Sequence, residues 1–201
     1  MKEEFYTEKR WLNWITKVKD SNFKLTEVDD KNTGAVFIYI MDDVVLACLK
    51  VMARCEHEVI SPEEAIAEIA AIRSIVFAEN ESMGEDADLM LESLRTSLAA
   101  VFVSSQRYIT GSFDRESPLE EMVANAIAAE QEERLDDAFD LLSQVGARVI
   151  GGESLPEIGD IPYCMTAELM DGIDAISAAM LGDDSYKEDD GSADTGEAGA
   201  V

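Results

Sequence analysis

A single all-α bundle of six or seven helices is the fold class this sequence predicts, and three observations predict it. Apolar residues recur at three- and four-residue spacing in one segment after another, and no stretch sustains the alternation of a half-buried strand. Residues that start or stop helices separate the segments. The chain has 201 residues, nearly half of them apolar, which is enough for one helical domain over 1–181 with its own core.

Thr7 is placed to cap a first helix whose apolar stripe is Trp11, Trp14, Ile15 and Val18. The polar run KDSNFKLTEVDDKNTG separates it from a second helix over about Ala35 to Cys55. That helix is apolar around most of its circumference, which marks it as central. VFIYIM at its start has the composition of a buried strand, but its continuation into DDVVLACLKVMA favours helix. The third helix has the plainest start, with Ser61 as N-cap, Pro62 at the first helical position and Glu64 completing a capping box; it should run to about Glu79. After the turn NESMGED, a fourth helix over about Asp86 to Tyr108 buries Leu91, Leu94, Leu98, Val101, Phe102 and Ser105, and Gly111 stops it.

Ser117-Pro118-Leu119-Glu120 reads as a second capping box, opening a fifth helix with Leu119, Met122, Val123, Ala126 and Ile127 inside. The stripe restarts, rotated, at Leu135, Ala138, Phe139, Leu142 and Val145, so a break falls near Glu132 and the pair forms an αα-hairpin. Glycines and prolines make residues 149–165 a long connector. A last helix over about Thr166 to Leu181 sets Met165, Leu169, Ile173, Ile176 and Met180 on one seam. Beyond it, residues 182–201 are acidic, small and almost free of large apolar groups, and are expected to be a disordered tail.

Forty-three Asp and Glu against sixteen Lys and Arg give a formal charge of -27, and residues 1–31 balance seven of each. The excess of carboxylates therefore lies entirely after the first helix. It opposes binding to nucleic acid, which needs a basic stripe to displace counterions, and to an anionic membrane surface. It suits a basic partner protein or a salt-rich solvent. Three cysteines at irregular spacing, and an opening MKEEFYTEKR without an apolar leader, predict reduced thiols in a cytoplasm. Ala35 to Ala53 is too short, and too charged at Asp42, Asp43 and Lys50, to span a bilayer.

ARCEHEVISPEE holds the single histidine, His57, two positions after Cys55. Cys48 and Cys55 share a side of the second helix but stand roughly 10 Å apart along its axis, too far for a disulfide or one tetrahedral metal. His57 projects to the opposite, polar side with Asp43, Lys50 and Arg54. CEHE thus reads as a solvent-facing helix end, with no metal site and no cofactor implied. Asp42 and Arg73 each put a charge on an apolar row, and a partly buried Asp42–Arg73 ion pair between the second and third helices is expected to fix their register.

One arrangement suggests chemistry. Glu130 and Glu133, with Glu168 and Asp171, match two halves of the carboxylate pattern with which all-α nucleoside triphosphate pyrophosphohydrolases hold magnesium, although the chain between the halves is longer than that pattern uses. With so many acids, a solvated helix face explains the match as well. No nucleophile and base can be assembled around one histidine, and no glycine-rich phosphate loop follows a strand.

The blocks FYTEKRWLNW, MDDVVLACLK, IRSIVFAE and SLRTSLAAVFVSSQRYI together resemble a conserved archaeal family of unknown function, found in methanogens, their relatives and halophilic archaea, over about residues 5–109. The resemblance implies an archaeal cytoplasmic origin and brings no catalytic residues with it. The expectation is therefore a non-enzymatic α-helical interaction or adaptor protein, able to form a homodimer, whose candidate contact surface is Trp11 and Trp14 on the one electrically neutral segment, unless both rings simply complete the core. The alternative is a magnesium-dependent hydrolase built on Glu130, Glu133, Glu168 and Asp171.

Overall fold

The computed structural model describes residues 4–25, 34–156 and 163–188. Among them are seven helices and no strand: α1 (Glu8–Ser21), α2 (Ala35–Glu56), α3 (Pro62–Val76), α4 (Glu85–Thr110), α5 (Leu119–Gln131), α6 (Leu135–Ile150) and α7 (Met165–Glu188). The expected acidic tail falls largely on 189–201, which lie outside the described residues, as do 26–33 and 157–162 within the two polar connections.

The helix ends follow local chemistry. Thr7 Oγ1 accepts the Arg10 amide at 3.2 Å, and Asn22 closes α1 in the left-handed region. At α3 the capping box is complete: Ser61 Oγ accepts the Glu64 amide at 3.2 Å, and Glu64 Oε2 accepts the Ser61 amide at 2.8 Å. Gly111 ends α4 with φ of 69°, where a Cβ would be strained. The α5–α6 turn comes at Glu132, as expected, and places Glu133 at φ of 60°.

The second expected capping box does not form. Ser117 donates its hydroxyl to Asp114 Oδ2 at 2.5 Å, and Pro118 occupies the N-cap position without a side-chain bond. Asp114 also accepts the Glu116 and Ser117 amides at 2.7 and 3.2 Å. A serine has one hydroxyl proton, and a carboxylate with three donors converging on it is the stronger partner.

The central helix is α4, which packs against α2, α3, α6 and α7. Leu91, Leu94, Leu98, Val101 and Phe102 enter the core as expected, but its small residues decide the geometry. A Cβ on Gly172 of α7 would overlap the backbone carbonyl of Ser97, and one on Gly146 of α6 would overlap Ser104 Oγ. Ser97 and Ser104 are seven residues apart on one face, so α6 and α7 both approach the α4 backbone closely.

α2 is less central than its composition suggests. It buries Phe37, Ile40, Val44, Val45, Cys48, Val51 and Met52 against α1, α3, α4 and α7, and leaves another apolar row in solvent. Each of those buried side chains other than Cys48 contributes about 1.5–3 kcal/mol. Surface ion pairs such as Lys19–Glu81 contribute about 0–1 kcal/mol, so the core, not the charge pattern, holds the bundle together. Arginines tie the elements at their ends. Arg95 donates to the carbonyls of Val76 and Ala78 at 2.9 and 2.7 Å and so caps α3 from α4. Arg107 joins α4 to Ser143 and Asp140 of α6.

Candidate functional site

The four carboxylates expected to gather around magnesium are not assembled. Glu130, near the end of α5, caps α7: Oε1 accepts the Met165 amide at 2.8 Å and Oε2 the Thr166 amide at 2.9 Å. Partial burial works to raise its pKa, but hydrogen bonds from Thr166, Cys164 and Met165 outweigh it and hold the carboxyl below the ordinary glutamate range. Glu133 is an exposed turn residue. Glu168 accepts the Tyr163 phenol at 2.6 Å. Asp171 is held above the usual aspartate range by burial first, then by the charges of Asp174 and Glu168. Among the described residues no group of three or more His, Cys, Asp or Glu is placed to share a metal ion.

Asp42 and Arg73 do not pair: both are exposed, and Arg73 lies instead 5.9 Å from the centre of the Phe77 ring. The polar link to α2 is made one residue further on. Asp43 takes both the Arg10 guanidinium and the Trp14 indole N–H, the latter at 2.7 Å, and so joins α1 to α2. Trp11 is 2% exposed and belongs to the core, while Trp14 is half-buried with Lys17 over its ring at 4.1 Å. Trp11 therefore has no free face for docking, and Trp14 is engaged by Asp43 and Lys17. Cys48 is buried, Cys55 half-buried and His57 exposed at the C-cap of α2, which agrees with a helix end at CEHE. Burial raises the Cys48 thiol to about 12 and leaves it an inert small hydrophobe.

Two concavities remain, on either side of Met52 and Glu56. The larger is a groove of about 790 Å³ between α2 and α7, floored by Leu46, Leu49, Ala53, Ile150, Ala179 and Met180 and edged by Asp42, Lys50, Glu56 and His57. Its α2 wall belongs to a row of Tyr39, Asp42, Leu46, Leu49 and Ala53, spaced three, four, three and four residues apart. That spacing is the seam of a helix meant to meet another helix. Leu49 packs partly against the core, but Leu46 is 48% exposed and Tyr39 58%.

The smaller is a cleft of about 530 Å³ where α2, α4 and α6 end together, closed by the loop after α4. Met52, Ile109 and Phe113 supply apolar surface, and Cys55 and Gly151 also line it. Arg148, nine-tenths buried, is bound by both carboxylate oxygens of Glu153 at 2.7 and 2.6 Å and by the Ser117 carbonyl. Tyr108 donates its phenol to Glu56 Oε1 at 2.5 Å. That bond, then burial and the Glu56 charge, push the phenol up to about 12, against a smaller downward pull from Arg115. Arg115 lies over the Phe113 ring at 4.6 Å and makes no ion pair among the described residues.

The groove had a signal in the sequence, because a helix apolar all round has more apolar rows than one core can cover. The cleft had none, since its residues come from three separate stretches, 52–56, 108–115 and 148–153. No helix among the described residues is long and apolar enough to cross a membrane. A family model described as "Uncharacterized protein conserved in archaea (DUF2150)" matches residues 4–189, extending well beyond the 5–109 of the sequence blocks. No curated protein and no solved structure matches.

Proposed function

The chain belongs to this archaeal family, and we propose that it is a non-enzymatic protein-interaction module whose α2–α7 groove receives an amphipathic helix of a basic partner. The observation that carries this reading is the α2 row of Tyr39, Asp42, Leu46, Leu49 and Ala53, of which all but the half-buried Leu49 are exposed. From Tyr39 to Ala53 it extends about 21 Å at about 1.5 Å per residue, the length of some four turns of a partner helix. The apolar floor supplies affinity and the charged edge supplies orientation.

Charge selects among occupants. A second copy would bring another -27 to the same interface, and self-repulsion opposes that. The chain's own end, DDGSADTGEAGAV, has no large apolar side chain to fill the floor. A helix with lysines or arginines flanking an apolar stripe meets Asp42, Glu56 and the acidic body favourably, and its association slows as salt rises.

A photo-crosslinking side chain in place of Leu46, in the full-length protein in its archaeal host, tests this, with exposed Leu12 of α1 as the control position. The expected product joins Leu46, and not Leu12, to an amphipathic segment bearing basic flanks. With that segment as a synthetic peptide, Leu46→Asp should cost about 2 kcal/mol or more of binding. Crosslinks to another copy of the chain, or equal labelling from both positions, would overturn the reading.

A further inference from the structure

The cleft at the shared end of α2, α4 and α6 holds opposite charges that do not meet. Its two arginines and two glutamates are not equivalent. Arg148 and Glu153 neutralise each other in a bidentate pair, and the arginine's remaining reach goes to the Ser117 carbonyl, so this pair is wall. Glu56 and Arg115 are different. Glu56 accepts one bond, from Tyr108, which leaves most of its lone-pair positions open. Arg115 rests on Phe113 and makes no ion pair among the described residues. Both line the cleft, and no ion pair joins them.

From that separation we infer that the cleft is a binding site for a small zwitterion, a free α-amino acid with an apolar side chain. Its carboxylate is taken by the Arg115 fork, its ammonium by Glu56, and its side chain by Met52, Ile109 and Phe113. The volume, about 530 Å³, falls within the range of small-molecule sites. The local charge balance discriminates as well. With Arg148 and Glu153 cancelled, one carboxylate and one guanidinium remain, so a molecule with a single charge engages only one of them, while a zwitterion engages both. A doubly anionic phosphate fares worse, because Glu56 repels it. Arg115 and Glu56 are both exposed, and Gln at position 56 keeps an oxygen able to accept the Tyr108 phenol.

Calorimetric titration of the full chain with leucine and phenylalanine is the test, beside two halves of leucine: 4-methylpentanoate, which lacks the amine, and 3-methylbutylamine, which lacks the carboxylate. The amino acids should bind, and each half should bind about tenfold or more weakly, the value of one lost charge-assisted hydrogen bond. Arg115→Ala should weaken leucine about tenfold while leaving 3-methylbutylamine unchanged, and Glu56→Gln should weaken leucine about tenfold while leaving 4-methylpentanoate unchanged. Unaltered circular dichroism and melting show that both variants fold. No heat with either amino acid, equal binding of leucine and one of its halves, or leucine binding indifferent to Arg115→Ala would each overturn the assignment.

Discussion

Several single residues of this protein hold helix ends and loops through their side chains. Asp114 accepts three hydrogen bonds in the loop before α5, and the Ser117 hydroxyl, then the Glu116 and Ser117 amides, lower its pKa to about 2. Because the folded value is depressed, the stabilisation is complete above the unfolded value of about 3.9 and is lost as pH falls through about 2. Carbon-detected NMR should place the Asp114 midpoint near the lower figure, and Ser117→Ala should move it upward. Glu130→Ala removes both side-chain acceptors from the start of α7 and should cost about 1–2 kcal/mol in urea denaturation. That loss should appear equally with and without magnesium, the outcome expected of a cap. The caps at Thr7 and Ser61 were legible because their partners lie three residues away. Ser117 was misread because its competitor, Asp114, lies upstream, outside the Ser-x-x-Glu window. Glu130 was misread because its donors are thirty-five and thirty-six residues away.

At the scale of helices, periodicity identified every element, including the break at Glu132, but it could not say which apolar row of a helix the core would cover. On α2 the row through Asp42 and Leu46 faces the groove, so Asp42 never reaches α3, and the neighbouring row brings Asp43 to Arg10 and Trp14. The close approaches to α4 offer a test in which local propensity and packing have opposite signs. Propensity alone predicts that Gly172→Ala stabilises α7 by about 1 kcal/mol. The overlap with the Ser97 carbonyl reverses this, and thermal unfolding should show a loss of about 1–3 kcal/mol for Gly172→Ala and for Gly146→Ala. Glu133→Gly should move the other way. The backbone at φ of 60° strains a residue with a Cβ, and glycine there should raise stability by about 1 kcal/mol.

For the whole molecule, the dominant quantity is the chain's net charge of -27. Self-repulsion of that size weakens the compact state in dilute buffer, so the urea midpoint should rise as salt is added and level off once the Debye length falls below the spacing of surface charges. Against that background, the two concavities are not independent of each other. Met52 and Glu56 belong to both. A shared partition has a thermodynamic consequence: whatever factor an occupant of the cleft imposes on the affinity of a helix in the groove, the helix must impose on that occupant in return. If Glu56 is drawn to an ammonium on one side, its charge is no longer available on the other, and the wall becomes a two-sided reporter by which a small solute could be sensed in the strength of a protein contact.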